Sequence, residues 1–125
     1  MSDMTFLFWK KNNETRPWGK FEALSTSPDY YIKKITVNPG KRLSYQSHNK
    51  RTEHWYIISG TGKVILNDQS LEVKTGESFD IPALTKHRIE NTNSKTDLVF
   101  IEISTGHFDE NDIVRYEDDF GRTGK

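Results

Sequence analysis

Short segments of alternating apolar and polar residues, separated by Gly, Pro and Asn, restrict the fold of this chain more than any other sequence feature. Alternation with a period of two is typical of half-buried strands, and no convincing helical period occurs before residue 107. Many short strands divided by turn residues predict an all-β sandwich or barrel. With 125 residues the chain should form one domain. A short helical turn around Ile113 is the expected exception. The predicted strands cover residues 30–37, 53–58, 63–66, 71–73, 78–81, 87–89 and 98–104.

Four side chains in this pattern could hold a metal ion. Gln46 and His48 are two residues apart, so an extended strand projects them from the same face. Glu53 follows after a break that could turn the chain back, and it opens the next predicted strand. His87 would complete four ligands and leave one or two coordination positions open for substrate or water. Nitrogen and oxygen donors suit Zn, Mn, Fe, Co or Ni, and spacing alone does not choose among them.

The spacing of these residues resembles the two paired motifs of the cupin superfamily, G-x5-H-x-H-x4-E-x6-G and G-x5-P-x-G-x2-H-x3-N. The sequence departs from the motifs at Gln46, where most cupins carry His, and at Leu84, where the second motif carries Gly. The resemblance implies the cupin fold, a double-stranded β-helix or jelly-roll barrel. The matching positions are Gly40, His48, Glu53, Gly60, Gly76, Pro82, His87 and Asn91.

A longer run, L-S-x-Q-x-H-x-x-R-x-E-H-W at residues 43–55, resembles the type II phosphomannose isomerases. Those domains are usually the C-terminal part of a longer chain with mannose-1-phosphate guanylyltransferase activity. The family-like region covers residues 16–122, and residues 1–15 form an N-terminal extension of a single cupin domain over residues 1–125.

The resemblance to these isomerases implies a metal-dependent conversion of mannose 6-phosphate to fructose 6-phosphate through a cis-enediol. It implies a sugar phosphate as the ligand and a homodimer as the assembly. One divalent ion is expected, with zinc favoured and Mn, Co, Ni or Fe as alternatives.

Two cations are predicted to take part in catalysis. Arg51 lies between the two ligand strands, where a guanidinium could bind phosphate or stabilise the negative charge of the intermediate. Lys33 shares a strand face with apolar residues and aligns with a lysine characteristic of the resembling family. Its alternative reading is a lysine at a frayed strand end that reaches water. The general base is left open between Lys33 and Glu102, which serves only if its strand turns it inward.

Other cations near the same rim are candidates for binding the phosphate group. Arg42 and Lys86 are the substrate-binding residues predicted in addition to Arg51. Arg115 and Arg122 belong to the family-like tail, where pairing with nearby acidic residues could simply hold the tail in place.

Composition argues against several classes of function. The 18 basic and 18 acidic residues cancel, so the chain has no general attraction to nucleic acid or to an anionic membrane. The absence of cysteine excludes disulfides and thiolate metal sites. The longest apolar run near the N-terminus, residues 6–9, is too short for a signal peptide or a membrane span. We therefore expect a cytoplasmic protein that binds neither nucleic acid nor membrane.

Two other functions remain open. One is another cupin sugar enzyme, such as a nucleotide-sugar ketoisomerase or epimerase, although the Gln-x-His signature argues against it. The other is a non-catalytic metal-cupin module that binds a sugar, because fold alone does not establish function. Neither Arg51 nor a predicted ligand has been lost, which favours the isomerase.

Overall fold

The structure is a computed structural model that describes residues 13–106 and 111–124. The described residues form eleven strands and no helix. In chain order the strands are β1 (Asn13–Arg16), β2 (Gly19–Ser27), β3 (Tyr30–Val37), β4 (Tyr45–Ser47), β5 (Arg51–Ser59), β6 (Thr61–Leu66), β7 (Gln69–Lys74), β8 (Ser78–Ile81), β9 (His87–Glu90), β10 (Leu98–Gly106) and β11 (Val114–Glu117).

The strands build two antiparallel sheets that enclose a shared core. The larger sheet has the order β1-β2-β3-β10-β5-β8, and the smaller sheet has the order β11-β4-β9-β6-β7. Neighbours within a sheet are often far apart in sequence, as where β10 lies between β3 and β5, because the chain crosses between the sheets in jelly-roll fashion. The predicted all-β fold is confirmed.

The apolar core is produced by alternation along the central strands. Every second residue of β10 is buried from Leu98 onward, and Phe100 stacks against Trp55 of β5 with ring centroids 4.6 Å apart. Aromatic pairs of this kind add to the free energy gained from burying the rings. The same alternation carries polar side chains, Glu102 and Ser104, onto the inward face of β10. One strand face therefore supplies apolar core in its first half and polar groups in its second.

Gly60 shows why the first motif ends in glycine. Its φ is +94°, and a Cβ at this position would lie 2.5 Å from the backbone oxygen of Asp97. Only glycine fits such a backbone conformation next to another main chain, so Gly60 lets β6 start directly after β5.

The prediction of a helical turn around Ile113 is wrong. Residues 114–117 form β11 instead, and β11 pairs with β4 at the edge of the smaller sheet. The chain then turns back, and the backbones of Arg115 and Gly124 exchange two hydrogen bonds of 2.8 Å. The backbone N–H and C=O groups of this segment form hydrogen bonds between strands, so they do not need the hydrogen bonds of a helical turn.

The N-terminal extension predicted at residues 1–15 is described only in part. Residues 13–15 belong to β1, which pairs with β2 and so forms part of the larger sheet. Residues 1–12 lie outside the described part of the chain. No helix that could cross a membrane occurs in the described residues.

Candidate metal centre and its cavity

Strand pairing brings polar residues of both sheets into one cavity. In the larger sheet, Glu102 pairs with Lys33 on one side and with Trp55 on the other. In the smaller sheet, Gln46 pairs with His87. Directly paired residues project from the same face of a sheet, so each row points inward as a unit. The cavity that these residues line has a volume of about 300 Å³.

His48, Glu53 and His87 are buried together, and the atoms that could ligate a metal all lie within 4.8 Å of one another. Nε2 of His48 is 3.2 Å from one carboxylate oxygen of Glu53, and Nε2 of His87 is 3.8 Å from the other. Two imidazoles and one carboxylate suit zinc and several other first-row metals. The structure thus brings together three of the four predicted ligands in a set that fits a divalent ion.

Hydrogen bonds orient both imidazoles so that they could ligate a metal ion. Nδ1 of His48 donates to the backbone oxygen of Asp112 over 2.7 Å, and Nδ1 of His87 donates to the backbone oxygen of Thr85 over 2.9 Å. Because a carbonyl oxygen only accepts, each ring keeps its proton on Nδ1 and presents a lone pair on Nε2. Burial, helped by the charge of Arg51, lowers the pKa of His48 to about 3, so the ring stays neutral as metal binding requires.

Glu53 is held in its charged form. Nε1 of Trp55 donates to one of its oxygens over 2.9 Å, and Nε of Arg51 donates to the other over 3.1 Å. Burial opposes the charge, but the nearby His87 and Arg51 outweigh burial and lower the pKa of Glu53. The carboxylate is therefore ready to ligate a cation.

Arg51 is buried against the three ligands. Besides its bond to Glu53, a terminal nitrogen of its guanidinium lies 3.0 Å from Nε2 of His48 and donates to it. A metal ion bound by His48 would need the single lone pair of Nε2 that accepts this hydrogen bond. Metal binding through His48 and the Arg51–His48 hydrogen bond therefore exclude each other.

The buried Glu102 and the partly exposed Lys33 form a second charged pair on the cavity wall. Nζ of Lys33 lies 3.4 Å from Oε2 of Glu102, and the hydroxyl of Ser104 donates to the same oxygen over 3.2 Å. Burial and the neighbouring carboxylate of Glu53 raise the pKa of Glu102. Both residues named as alternatives for the general base thus reach the cavity, and Lys33 is not at a frayed end.

Gln46 lines the cavity beside His87, as their pairing requires. Its part as a fourth ligand stays a prediction.

Leu84, which stands where the second cupin motif has glycine, adopts the backbone conformation that favours glycine. Its φ is +72°, in the left-handed region, and its side chain is 69% exposed. The N–H of Leu84 donates to the backbone oxygen of His48 over 2.7 Å. This bond ties the turn after β8 to the segment that carries a predicted ligand.

Arg42 and Lys86, predicted to bind substrate, do not line the cavity. The guanidinium of Arg42 donates to both carboxylate oxygens of Asp119 over 2.8 Å and to Glu90 over 3.0 Å. Nζ of Lys86 lies over the ring of Tyr116, 4.6 Å from its centroid. Both cations are engaged outside the cavity, so their placement does not support the predicted role.

Three other arginines line the cavity instead: Arg16, Arg115 and Arg122. Sequence reasoning does not identify Arg16 as a binding residue, and it indicates Arg115 and Arg122 only as anchors of the tail. The sequence shows that these residues are positively charged. It does not show that β1 pairs with β2 and that β11 pairs with β4, and these pairings bring the arginines to the cavity.

Comparison with known proteins identifies relatives over most of the chain. A family model described as mannose-6-phosphate isomerase C-terminal matches residues 8–118. The mannose-1-phosphate guanylyltransferase ManC of Salmonella typhimurium is 41% identical over 108 residues, which cover 86% of this chain and 22% of ManC. The chain therefore spans less than a quarter of the length of this relative.

Solved structures share the fold. The capsular polysaccharide assembling protein CapF of Staphylococcus aureus superimposes with a TM-score of 0.73 at 26% identity, covering 84% of this chain and 34% of that chain. The cupin domain of Cnp3 from Schizosaccharomyces pombe superimposes with a TM-score of 0.66 at 16% identity, covering 70% of this chain and 64% of that chain. The predicted cupin fold is confirmed.

Proposed function

We propose, because the chain belongs to the family of mannose-6-phosphate isomerase C-terminal domains, that this domain itself interconverts mannose 6-phosphate and fructose 6-phosphate. The observation that carries the proposal is one cavity holding a His48–Glu53–His87 triad together with the inward-facing Glu102 and Arg51. Its volume of about 300 Å³ lies at the small end of ligand pockets and suits a single hexose phosphate.

Aldose–ketose isomerisation moves one proton between neighbouring carbons. The proton leaves C2 while the carbonyl oxygen on C1 gains one, which gives a cis-enediol. A proton then returns to C1 while the hydroxyl on C2 loses its own, which gives the ketose. The protein must supply a group that takes and returns the carbon-bound proton, and cations that stabilise negative charge on the two oxygens.

Glu102 is the best-placed group for the carbon-bound proton. It faces the cavity from the centre of the larger sheet. Its pKa is raised, which is the direction that favours proton exchange by a carboxyl group, because a general base works best when its pKa is near the working pH. Lys33 stabilises the carboxylate when it is charged, and the hydroxyl of Ser104 fixes its orientation. Lys33 therefore acts through Glu102 in this proposal.

Arg51 and the ligand triad are the groups that would stabilise negative charge on the substrate oxygens. A divalent ion held by the triad and Gln46, with zinc favoured over Mn, Co, Ni or Fe, would polarise the substrate carbonyl and the adjacent hydroxyl. Arg51 binds the negatively charged oxygens of the enediolate once its bond to His48 is released. The expected homodimer and cytoplasmic location complete the proposal.

The test is fructose 6-phosphate formation from mannose 6-phosphate by metal-free protein supplied with Zn, Mn, Co or Ni. His48→Ala and Arg51→Ala should each abolish turnover. His54→Ala is a matched control, because His54 lies on the outer face of β5 and bonds to Asp80 over 2.6 Å, away from the cavity. Absence of turnover with every metal, while metal and sugar phosphate still bind, would reject the isomerase and favour the non-catalytic sugar-binding module.

A further inference from the structure

Two ends of the cavity differ in chemistry. We call His48, Glu53 and His87 the metal end, and we call Arg16, Arg115 and Arg122 the arginine end. The arginine end is assembled from both sheets, because β1 is the edge strand of the larger sheet and β11 is the edge strand of the smaller one. The catalytic chemistry proposed above uses none of these three arginines.

Carboxylates offset two of the three positive charges. Arg16 forms an ion pair with Glu14 at 2.7 Å, and Arg122 forms one with Asp118 at 2.8 Å. Arg115 differs from both, because its Nε is buried and has no hydrogen-bond partner within the described part of the chain. A buried guanidinium nitrogen left without an acceptor is costly, and Arg115 also lines the cavity, so an anion in the cavity toward which the guanidinium turns would remove this cost.

The electrostatic surroundings of Arg115 point the same way. Burial lowers the pKa of Arg115, and the positive charges of Arg122 and Arg16 lower it further, against the opposing effect of Asp118. Like charges kept this close are unfavourable unless an anion lies between them. An anion with several acceptor oxygens would relieve the repulsion and satisfy the fork of donors that guanidinium groups present.

Strand pairing also sets the distance from Arg115 to the metal end. Arg115 pairs with Gln46 across β11 and β4, and Gln46 pairs with His87 across β4 and β9. The three residues form one row on the inward face of the smaller sheet. Two strand spacings of about 4.8 Å separate the backbones of Arg115 and His87 by about 10 Å. A six-carbon sugar with a terminal phosphate can bridge such a gap.

We propose that Arg115, supported by Arg122 and Arg16, binds the phosphate group of a sugar phosphate whose opposite end lies at the metal end. The choice of a sugar phosphate rests on the proposed function, whereas the anion site itself stands on the unpartnered Nε of Arg115 and the three converging charges. The rim cations Arg42 and Lys86 then have no part in binding the phosphate.

Calorimetric titration of the whole chain with mannose 6-phosphate, inorganic phosphate and mannose tests this proposal. Arg115→Gln should weaken binding of both phosphate-bearing probes by about tenfold or more and leave binding of mannose unchanged, since it removes a charge-assisted bond to phosphate alone. Lys34→Gln removes one positive charge from the outer face of β3 and is the matched control, with no change expected. Thermal unfolding of each variant verifies that it is folded. If Arg115→Gln does not fold, Arg16→Gln tests the same site from the other sheet, and it too should lose affinity for phosphate.

The possible outcomes separate this proposal from the proposed isomerase. If the wild type shows no turnover but binds phosphate-bearing probes through Arg115, the isomerase fails and the phosphate site stands. If the wild type is active and Arg115→Gln keeps its KM for mannose 6-phosphate, the phosphate site fails and the isomerase stands. Loss of phosphate binding in Arg42→Gln, with binding retained in Arg115→Gln, would also overturn the assignment.

Discussion

The metal end and the arginine end solve opposite electrostatic problems within one cavity. At the metal end, Arg51 already satisfies Glu53 and His48, so a cation must compete with a resident positive charge. At the arginine end, Nε of Arg115 has no acceptor among the described residues, so an anion that binds it displaces no existing hydrogen bond of that nitrogen. The comparison teaches that the two ends should respond differently to ligand, to substitution and to pH, although only β4 lies between the strands that carry Arg115 and His87.

The largest expected effect is loss of a ligand at the metal end. His87→Ala should lower zinc affinity on the order of a hundredfold or more, because it removes one of three converging donors. Competition with a chelating dye measures the affinity. His54→Ala serves as the control and should keep the wild-type value. If the His87 variant still bound zinc tightly, His87 would not be a zinc ligand and the contrast between the two ends would fail.

The next effect concerns the carboxylate that holds the arginine end in place. Asp118 has a fully buried side chain and accepts hydrogen bonds from the backbone N–H groups of Phe120 and Arg122 and from the guanidinium of Arg122. Asp118→Asn should lower the free energy of unfolding at pH 7 by about 2 kcal/mol, since bonds to a charged acceptor are lost. Denaturant unfolding measures this difference.

The same pair of proteins gives a test by pH. Burial opposes the charge on Asp118, but its bonds to Arg122 and to backbone N–H groups outweigh burial and lower its pKa. A carboxyl group with a lowered pKa stabilises the fold above its unfolded-state pKa of about 3.9, and this stabilisation disappears as the pH falls through the lower folded-state value. The stability difference between wild type and Asp118→Asn should therefore shrink below about pH 4. A difference that is constant down to pH 2 would show that the charge of Asp118 does not hold the arginine end.

A smaller effect distinguishes the resident cation at the metal end from a simple structural arginine. Arg51→Gln should raise zinc affinity by about tenfold, because the metal no longer displaces a guanidinium, while turnover falls. The chelator competition used for His87→Ala measures the affinity. Weaker zinc binding in this variant would mean that Arg51 organises the ligands more than it competes with the metal.

The smallest effect concerns Leu84, whose backbone bond supports His48. Leu84→Gly should raise stability by about 0.5 kcal/mol, since relief of the left-handed conformation exceeds the added flexibility of glycine. Leu71→Gly, at another exposed leucine but inside β7, should instead lower stability by about 1 kcal/mol. Thermal unfolding compares the two. Equal loss of stability in both would show that Leu84 is not strained.

The metal end could be predicted from the sequence because its residues lie in compact blocks. His48 and Glu53 share one motif, and His87 follows at a fixed spacing in the next, so local strand geometry and the family resemblance were enough. The inward direction of Lys33 also followed from alternation along a single strand.

The arginine end could not be predicted because long-range strand pairing assembles it. Arg42 lies close to the first motif in sequence, yet its ion pairs with Asp119 and Glu90 keep it outside the cavity. Arg115 lies far from that motif, yet the pairing of β11 with β4 places it next to Gln46. Which strand pairs with which edge depends on packing of the whole barrel. The spacing of residues along the chain does not predict these pairings.

The double pairing of β10 restricts how the length of the chain can change during evolution. Residues 99–105 of this strand pair with β3 on one side and with β5 on the other, and Ile101 and Ile103 flank Glu102. Deleting or inserting one residue early in β10 would turn Glu102 outward and place an isoleucine against Lys33. Loops that join the strands can gain or lose single residues without this effect, whereas β10 keeps Glu102 inward only if its length changes by two or a bulge absorbs the extra residue, as one does between β10 and β5 beside Val99.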